Sequence, residues 1–336
     1  MTTVEADADI AEVPPESTKT TKGKIIQWGR RLMVVLVIGF TAYALITKWN
    51  DVWHTISAVA WQSSLLSQLA VMAAIGFNTF AWQTIIDDLG KPIGVFRGGM
   101  ICLVGGLGKY VPGSVWAYLL QMELGRKAGL PRARIFTGSL IQLGIATVAS
   151  LLLGVLALPV IFKETPQAVW LFALLPIGLI ALHPKILTWG TSLVLKTLRR
   201  PPLDHQLRWG TIGKVLGFSM LGYIAFGAHM WLLANSVGAP GVSGLVLCIG
   251  AMAISLTAGL FAFFLPSGAG VREGVIVAVL AASGIDPIQA LAFAVASRLM
   301  FIIADVVTAG AAAAIATYRK RQAEARIAAA AAAAGQ

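Results

Sequence analysis

"GLGKYVPGSVW", residues 106–116, places three glycines, a proline and a lysine between hydrophobic segments. A backbone broken in this way leaves N–H and C=O groups unpaired, and lipid cannot satisfy them. Such a break is tolerated where protein covers it or a water-filled cavity meets it. A second stretch of the same character, "LPSGAGVREG" at 265–274, follows later in the chain. Both breaks are expected to face a common interior, with the helices that start after them turning free N–H groups and positive dipole ends into it.

The surroundings identify the medium. Of 336 residues, 57% are hydrophobic and 12% charged, against about 25% charged in ordinary soluble domains. Several apolar runs approach or exceed the roughly 20 residues needed to cross a bilayer, so an all-α, polytopic membrane protein is expected. A net charge of +11 does not indicate nucleic acid, because the basic residues sit in short loops beside apolar runs, the positive-inside pattern. Cys102 and Cys248 lie in apolar segments and read as small buried hydrophobes. No disulfide framework, metal-ligand spacing or cofactor motif is apparent.

Residues 1–24 read as a disordered cytoplasmic tail. Lys24, Arg30 and Arg31 precede the apolar run Leu32–Ile46, so 25–56 reads as a first transmembrane helix, a retained anchor. Further membrane segments are expected at about 61–86, 94–110, 113–125, 133–162, 167–183, 211–236, 243–264, 271–284 and 287–316. Those at 94–110, 113–125 and 271–284 are short or glycine-rich and need not span alone. The basic stretch 185–208 reads as an interfacial loop or helix, and 317–336 as a basic, alanine-rich cytoplasmic helix that frays. With alternating spans, 21 of the 26 Lys/Arg fall on the side of the N-terminus and two outside, which puts both termini in the cytoplasm. Lys109, Arg272 and Arg298 remain at membrane depth.

Internal symmetry is also readable. "DDLGKP" (87–92) returns in outline as "NSVGAP" (235–240), and "VPGSVW" (111–116) as "LPSGAG" (265–270). Aligning Pro131 with Pro287 sets Gln142 opposite Arg298 and Gly154 opposite Gly310. Residues 57–162 and 209–316 thus read as two repeats joined by 163–208. The first enters its leading helix from outside and the second from the cytoplasm. Inverted-topology repeats with discontinuous or re-entrant helices at matching positions point to a transporter binding site.

Ionisable side chains inside a membrane are costly and usually functional. Lys109 flanks the first break; Arg272 and Glu273 follow the second; Arg298 and Asp305 share one face of the last helix. One reading is an anion site, with arginine as a bidentate phosphate donor. The other is that Arg272–Glu273 and Arg298–Asp305 are structural pairs, and that Lys109 snorkels to the interface. Tyr110 and Trp116 can wall a lipid headgroup or simply pack. His229 reads as a packed, hydrogen-bonded histidine rather than a proton relay, Asn78 and Gln142 as interhelical partners, and the set Trp49, Trp53, Trp61 and Trp116 as including belt residues.

"KYVPGSVW" followed by "LGRKAG", then "FFLPSGAGVREG" and "SRLMFIIADVVTAG", resembles the lysylphosphatidylglycerol synthase transmembrane-region family, flippase-like membrane proteins, over about residues 30–316. The resemblance implies a bacterial or archaeal inner-membrane protein on a lipid-translocating fold. Its motif positions here are Lys109, Tyr110, Pro112, Gly113, Trp116, Pro266, Gly268, Gly270, Arg272, Glu273 and Arg298. Bifunctional members carry a soluble aminoacyl-transferase domain after the membrane part; this chain reads as a stand-alone member without one. The expected function is a flippase for an anionic lipid, a phospholipid or a polyprenyl-phosphate-linked lipid, with substrate-binding residues Lys109, Tyr110, Trp116, Arg272, Glu273, Arg298 and Asp305. No nucleotide-binding motif is present, so movement is expected to be downhill or gradient-coupled. The alternatives are a membrane enzyme, for which no catalytic motif is found, and a non-transporting partner of cell-envelope biosynthesis enzymes.

Overall fold

The computed structural model describes residues 49–111, 115–160, 172–197, 206–235, 241–262 and 265–334. The expected tail and residues 25–48 of the expected anchor, Pro112 and Gly113, Gly238 and Pro240, and residues 198–205 of the basic stretch lie outside them. Among the described residues every regular element is helical: α1 Trp49–Ser57, α2 Trp61–Asp88, α3 Val95–Gly99, α4 Val115–Lys127, α5 Arg132–Gly154, α6 Leu174–Ala181, α7 Pro184–Thr197, α8 Trp209–Ala234, α9 Gly241–Phe261, α10 Val271–Ala282 and α11 Pro287–Ala334.

Five helices are long and apolar enough to cross a membrane: α2, α5 with its extension to Val160, α8, α9 and α11. A sixth crossing arises if α6 and α7, bent by 96° at Leu182–His183, form one broken span. At 1.5 Å per residue, the 28 residues of α2 extend about 42 Å, more than a hydrocarbon core of about 30 Å, so they fit with tilt. Leu65, Leu66, Leu69, Leu299, Ile303, Val306 and Val307 are exposed on α2 and α11. An outward apolar face of this kind suits lipid, where the hydrophobic effect no longer drives helices together.

Close packing therefore holds the bundle. α8 lies along α2 and also contacts α5, α9 and α11. At Gly227 of α8 an added Cβ would stand 2.7 Å from the Ile249 backbone nitrogen, so the absence of a side chain sets the α8–α9 approach. The core they share with α10 and α11 gathers Phe226, Met230, Met252, Ile276, Phe293 and Phe301. Polar ties cross the same interfaces: Ser150 Oγ donates to Ala253 O at 2.8 Å, and Gln142 Nε2 to Asn78 O at 2.9 Å. Gln142 is thus an interhelical partner, whereas the Asn78 amide bonds back to Ala74 O in its own helix.

Charged residues assemble at one end. Arg134 donates to Ile86 O and Lys91 O, closing the C-terminus of α2. Glu123 takes Arg126 and Arg132 at 2.6 and 2.8 Å, Arg208 approaches Asp88, and the Arg319 guanidinium stacks 3.3 Å over Phe96. Among the described residues, the segments carrying most of the basic residues thus share one pole of the bundle. The tail expected to fray continues α11 as helix to Ala334, because alanine loses the least entropy on entering a helix.

Gly227→Ala should lower the thermal stability of the detergent-solubilised protein by about 1–3 kcal/mol through overpacking. Gly217→Ala, on the same helix with nothing within 4 Å of the added Cβ, should leave it unchanged or slightly raised. Melting midpoints of the two variants test the packing of α8 on α9.

Candidate functional site

Each broken stretch changes winding before it stops. After α3 the chain widens to a π-helical turn at Met100–Val104, tightens to a 3-10 turn at Leu107–Tyr110 and becomes extended at Val111. Mixed windings of this kind recur at functional positions. The second break folds Pro266–Gly268 into a 3-10 turn with Ser267, Gly268 and Gly270 all at positive φ (51°, 65° and 84°). A serine there is sterically disfavoured, and only glycine takes such angles freely.

Glycine also lets each break touch its neighbour. An added Cβ at Gly108 would sit 2.7 Å from the Trp116 and Ala117 backbone, and one at Gly268 2.5 Å from that of Gly259. The 107–110 turn packs against the 266–268 turn, so the breaks meet. Between them and α2, α5, α8 and α11 lies a cavity of about 370 Å³, lined by Lys109, Gln121, Gln142, Tyr223, Arg272 and Asp305 among others.

Arg272 is the centre of this cavity's polar wall. It is buried, 4% exposed, and its guanidinium carbon lies 3.7 Å from the centroid of the Phe301 ring, which stacks in turn on Phe226. Its Nη2 donates to Ser297 Oγ at 2.9 Å; its Nε–H has no partner among the described residues. A buried guanidinium donor left unanswered costs free energy, and here it belongs to a residue lining a cavity.

Ser297 is held in turn by His229, which is buried at 0% exposure. Ser297 Oγ lies 2.9 Å from His229 Nε2, and His229 Nδ1 lies 2.6 Å from Ser67 Oγ. Ser67 also donates to the His229 carbonyl. Arginine is donor-only, so Ser297 accepts from Arg272 and has its hydrogen for Nε2. Ser67 spends its hydrogen on a carbonyl, so Nδ1–H donates to Ser67. Both ends of the chain therefore assign a neutral ring protonated on Nδ1. The sequence reading of a packed, hydrogen-bonded histidine describes these contacts.

The remaining charges pair across elements. Arg298 Nη1 reaches Glu273 Oε1 at 2.6 Å, and Lys109 Nζ reaches Asp305 Oδ2 at 2.6 Å, where the Tyr110 hydroxyl also donates at 2.5 Å. The pairs read from sequence, Arg272–Glu273 and Arg298–Asp305, are not formed. Arg298 and Asp305 share a helix seven residues apart, a rise of about 10.5 Å, whereas partners on packed neighbours stand closer. Glu273 also accepts from the Gly270 N–H at 2.7 Å. One backbone N–H at the start of α10, that of Gly270, is thus answered from within the helix. Trp116 is 51% exposed and outside the cavity lining.

Sequence reasoning missed Ser67, Ser297, Phe301 and Gln121. Phe301 and Asp305 line the cavity, and with Ser297 they recur every four residues and so form one stripe of α11. Among the described residues, no three His, Cys, Asp or Glu side chains are grouped to hold a metal ion.

Comparison with protein families matches residues 31–310 to the family described as lysylphosphatidylglycerol synthase TM region. The match covers most of the chain, which therefore belongs to this family. No curated protein and no solved structure matches it.

Histidine ¹⁵N shifts of the bilayer-reconstituted protein test the assigned proton chain. The buried ring should show the neutral, Nδ1-protonated pattern, assigned by its loss in His229→Gln. An Nε2-protonated ring would refute the direction of the Ser67–His229–Ser297–Arg272 chain.

Proposed function

We propose that this chain is a transporter that moves an anionic lipid headgroup between leaflets, through the cavity where the two broken stretches meet. The observation that carries the reading is Arg272, a buried cation lining the cavity with an unanswered donor. Intramembrane charge without a functional role is costly, and an anionic visitor supplies the missing partner. Lys109, Tyr110, Glu273, Arg298 and Asp305 serve the same site, the carboxylates holding Arg298 and Lys109. Trp116, on the outer face, meets the lipid rather than the headgroup cavity.

The helix order supports a transporter architecture of two inverted repeats, 57–162 and 209–316. Each half runs long helix, hairpin with a break, long helix: α2, α3–α4, α5 and then α8, α9–α10, α11. The two hairpins are re-entrant in this proposal. α3–α4 enters from the pole where Phe96 meets Arg319, and α9–α10 from the opposite one. In this proposal the basic pole is cytoplasmic, as the positive-inside rule expects, with both termini on the cytoplasmic side of a prokaryotic inner membrane. Phospholipids and polyprenyl-phosphate-linked lipids are the cargo class, and envelope-building enzymes the expected users of the translocated lipid.

Protein reconstituted in liposomes with a fluorescent anionic lipid gives the test. Arg272→Gln should slow translocation by about tenfold or more, the loss of one charge-assisted contact of about 1.5–3 kcal/mol, at unchanged protein recovery. Undiminished translocation by a well-folded Arg272→Gln protein would end this reading. Lys109→Arg keeps charge but alters donor geometry, so it should give a smaller loss.

A further inference from the structure

The first broken stretch is held to α11 at both ends and changes winding between them. At its base the Arg319 guanidinium lies 3.3 Å over the Phe96 ring. At its tip Lys109 Nζ and the Tyr110 hydroxyl converge on Asp305 Oδ2 at 2.6 and 2.5 Å. Asp305 and Arg319 stand about 21 Å apart along α11 at 1.5 Å per residue. Between the two attachments lies the π-helical turn Met100–Val104, the only turn of that kind among the described residues. Glycine pairs bracket it, Gly98–Gly99 before and Gly105–Gly106 after. One member of each pair serves close approach: an added Cβ at Gly98 would lie 3.0 Å from Gln83 Oε1, and one at Gly105 3.0 Å from the Gln121 backbone nitrogen. The other members do not. Gly99 (φ −58°, ψ −47°) and Gly106 (φ −60°, ψ −25°) have ordinary helical angles, and an added Cβ at either meets nothing within 4 Å. Glycine is the costliest helix residue after proline, so this conformation gives no reason for it at 99 or 106. Open glycines also occur at Gly76 and Gly217, inside uninterrupted long helices. Those at 99 and 106 coincide with changes of winding, where a helix bends most readily.

We infer that residues 95–110 form a gate: the arm pivots at the glycine-flanked π turn, and Lys109 and Tyr110 latch its tip shut on Asp305. The inference rests on the transport reading above and supplies its moving part. With the base held by Arg319, bending at the π turn carries the 107–110 turn away from Asp305 and from the 266–268 turn it packs against. That motion parts the wall the two breaks form together. A few glycine-rich positions absorbing the change in backbone angles are what a hinge requires. The latch is built to open without stranding its charges. Lys109 and Asp305 both line the cavity, so polar contacts within it can replace the ones they give up, and no buried charge is left unanswered.

Two measurements test the gate. Backbone hydrogen exchange of the full-length protein in lipid nanodiscs reads local opening directly. Tyr110→Phe keeps the ring and deletes one latch bond, so the amides of residues 105–111 should exchange about tenfold faster, while those of α2 and α8 keep their rates. If Tyr110→Phe does not fold, Lys109→Gln carries the same expectation. The second measurement is translocation of a fluorescent anionic lipid in liposomes by Gly99→Ala. Gly99 is outside the cavity lining and has room for the methyl group, so a rigid arm predicts unchanged translocation. The hinge predicts translocation slowed about fivefold at unchanged or higher thermal stability, with Gly217→Ala keeping the wild-type rate. Unchanged exchange at 105–111 overturns the latch, and equal acceleration in every helix reduces the Asp305 cluster to a structural prop. Unchanged translocation by Gly99→Ala overturns the hinge and leaves the transport reading standing where Arg272→Gln still slows the protein. If the wild-type protein translocates no lipid, the transport reading fails and the exchange result alone decides the gate.

Discussion

A guanidinium in the apolar middle of a helical bundle must have its plane covered and its donors met, and in this protein that demand organises three helices. Phe301 of α11 covers the Arg272 plane, Phe226 of α8 backs the ring, and Ser297 takes one donor. His229 and Ser67 extend the hydrogen bonding to α8 and α2. Arg272 itself stands at the start of α10, immediately after the second break. Its position therefore depends on where that helix begins, which Gly268 and Gly270 at positive φ and the hydrogen bond from the Gly270 N–H to Glu273 help to set.

The first break answers the second. Lys109 and Tyr110, on the 3-10 turn before Val111, converge on one oxygen of Asp305. The same helix thus receives both breaks, Arg272 at Ser297 and Phe301 and the first turn at Asp305. Broken backbone at membrane depth survives only where protein or a wet cavity meets it, and here the turns cover each other and line the cavity. Membership of the lysylphosphatidylglycerol synthase TM region family ties the chain to membrane lipid and cell-envelope chemistry. The cavity adds a physical reason for placing an anionic headgroup at this spot.

Much of this was legible in the sequence, for reasons that can be stated. Apolar runs gave the helices, since only internally bonded backbone crosses lipid. Gly and Pro marked the second break, where Ser267–Gly270 is indeed non-helical. Charged residues at depth marked the site. The pairing was not legible: spacing along α11 shows that Arg298 and Asp305 share a face, but not which neighbours reach them. Ser67 and His229 are 162 residues apart, and no local pattern announces such a contact. By contrast, the 96° bend between α6 and α7 falls just before Pro184, where the residue preceding a proline is disfavoured in a helix, and the sequence reading ends a segment at 183.

The central claim is that the two breaks enclose a water-accessible cavity with an excess of positive charge. Gly106 lines it, and an added Cβ there has nothing within 4 Å. Gly106→Cys in a protein whose two native cysteines, Cys102 and Cys248, are replaced by alanine gives a single reporter inside. The direct measurement is the rate at which matched anionic and cationic thiol reagents modify it in native membranes. The account predicts modification by both reagents, with the anionic one faster and the difference lost in Arg272→Gln. No modification, or a faster cationic reagent, would contradict it.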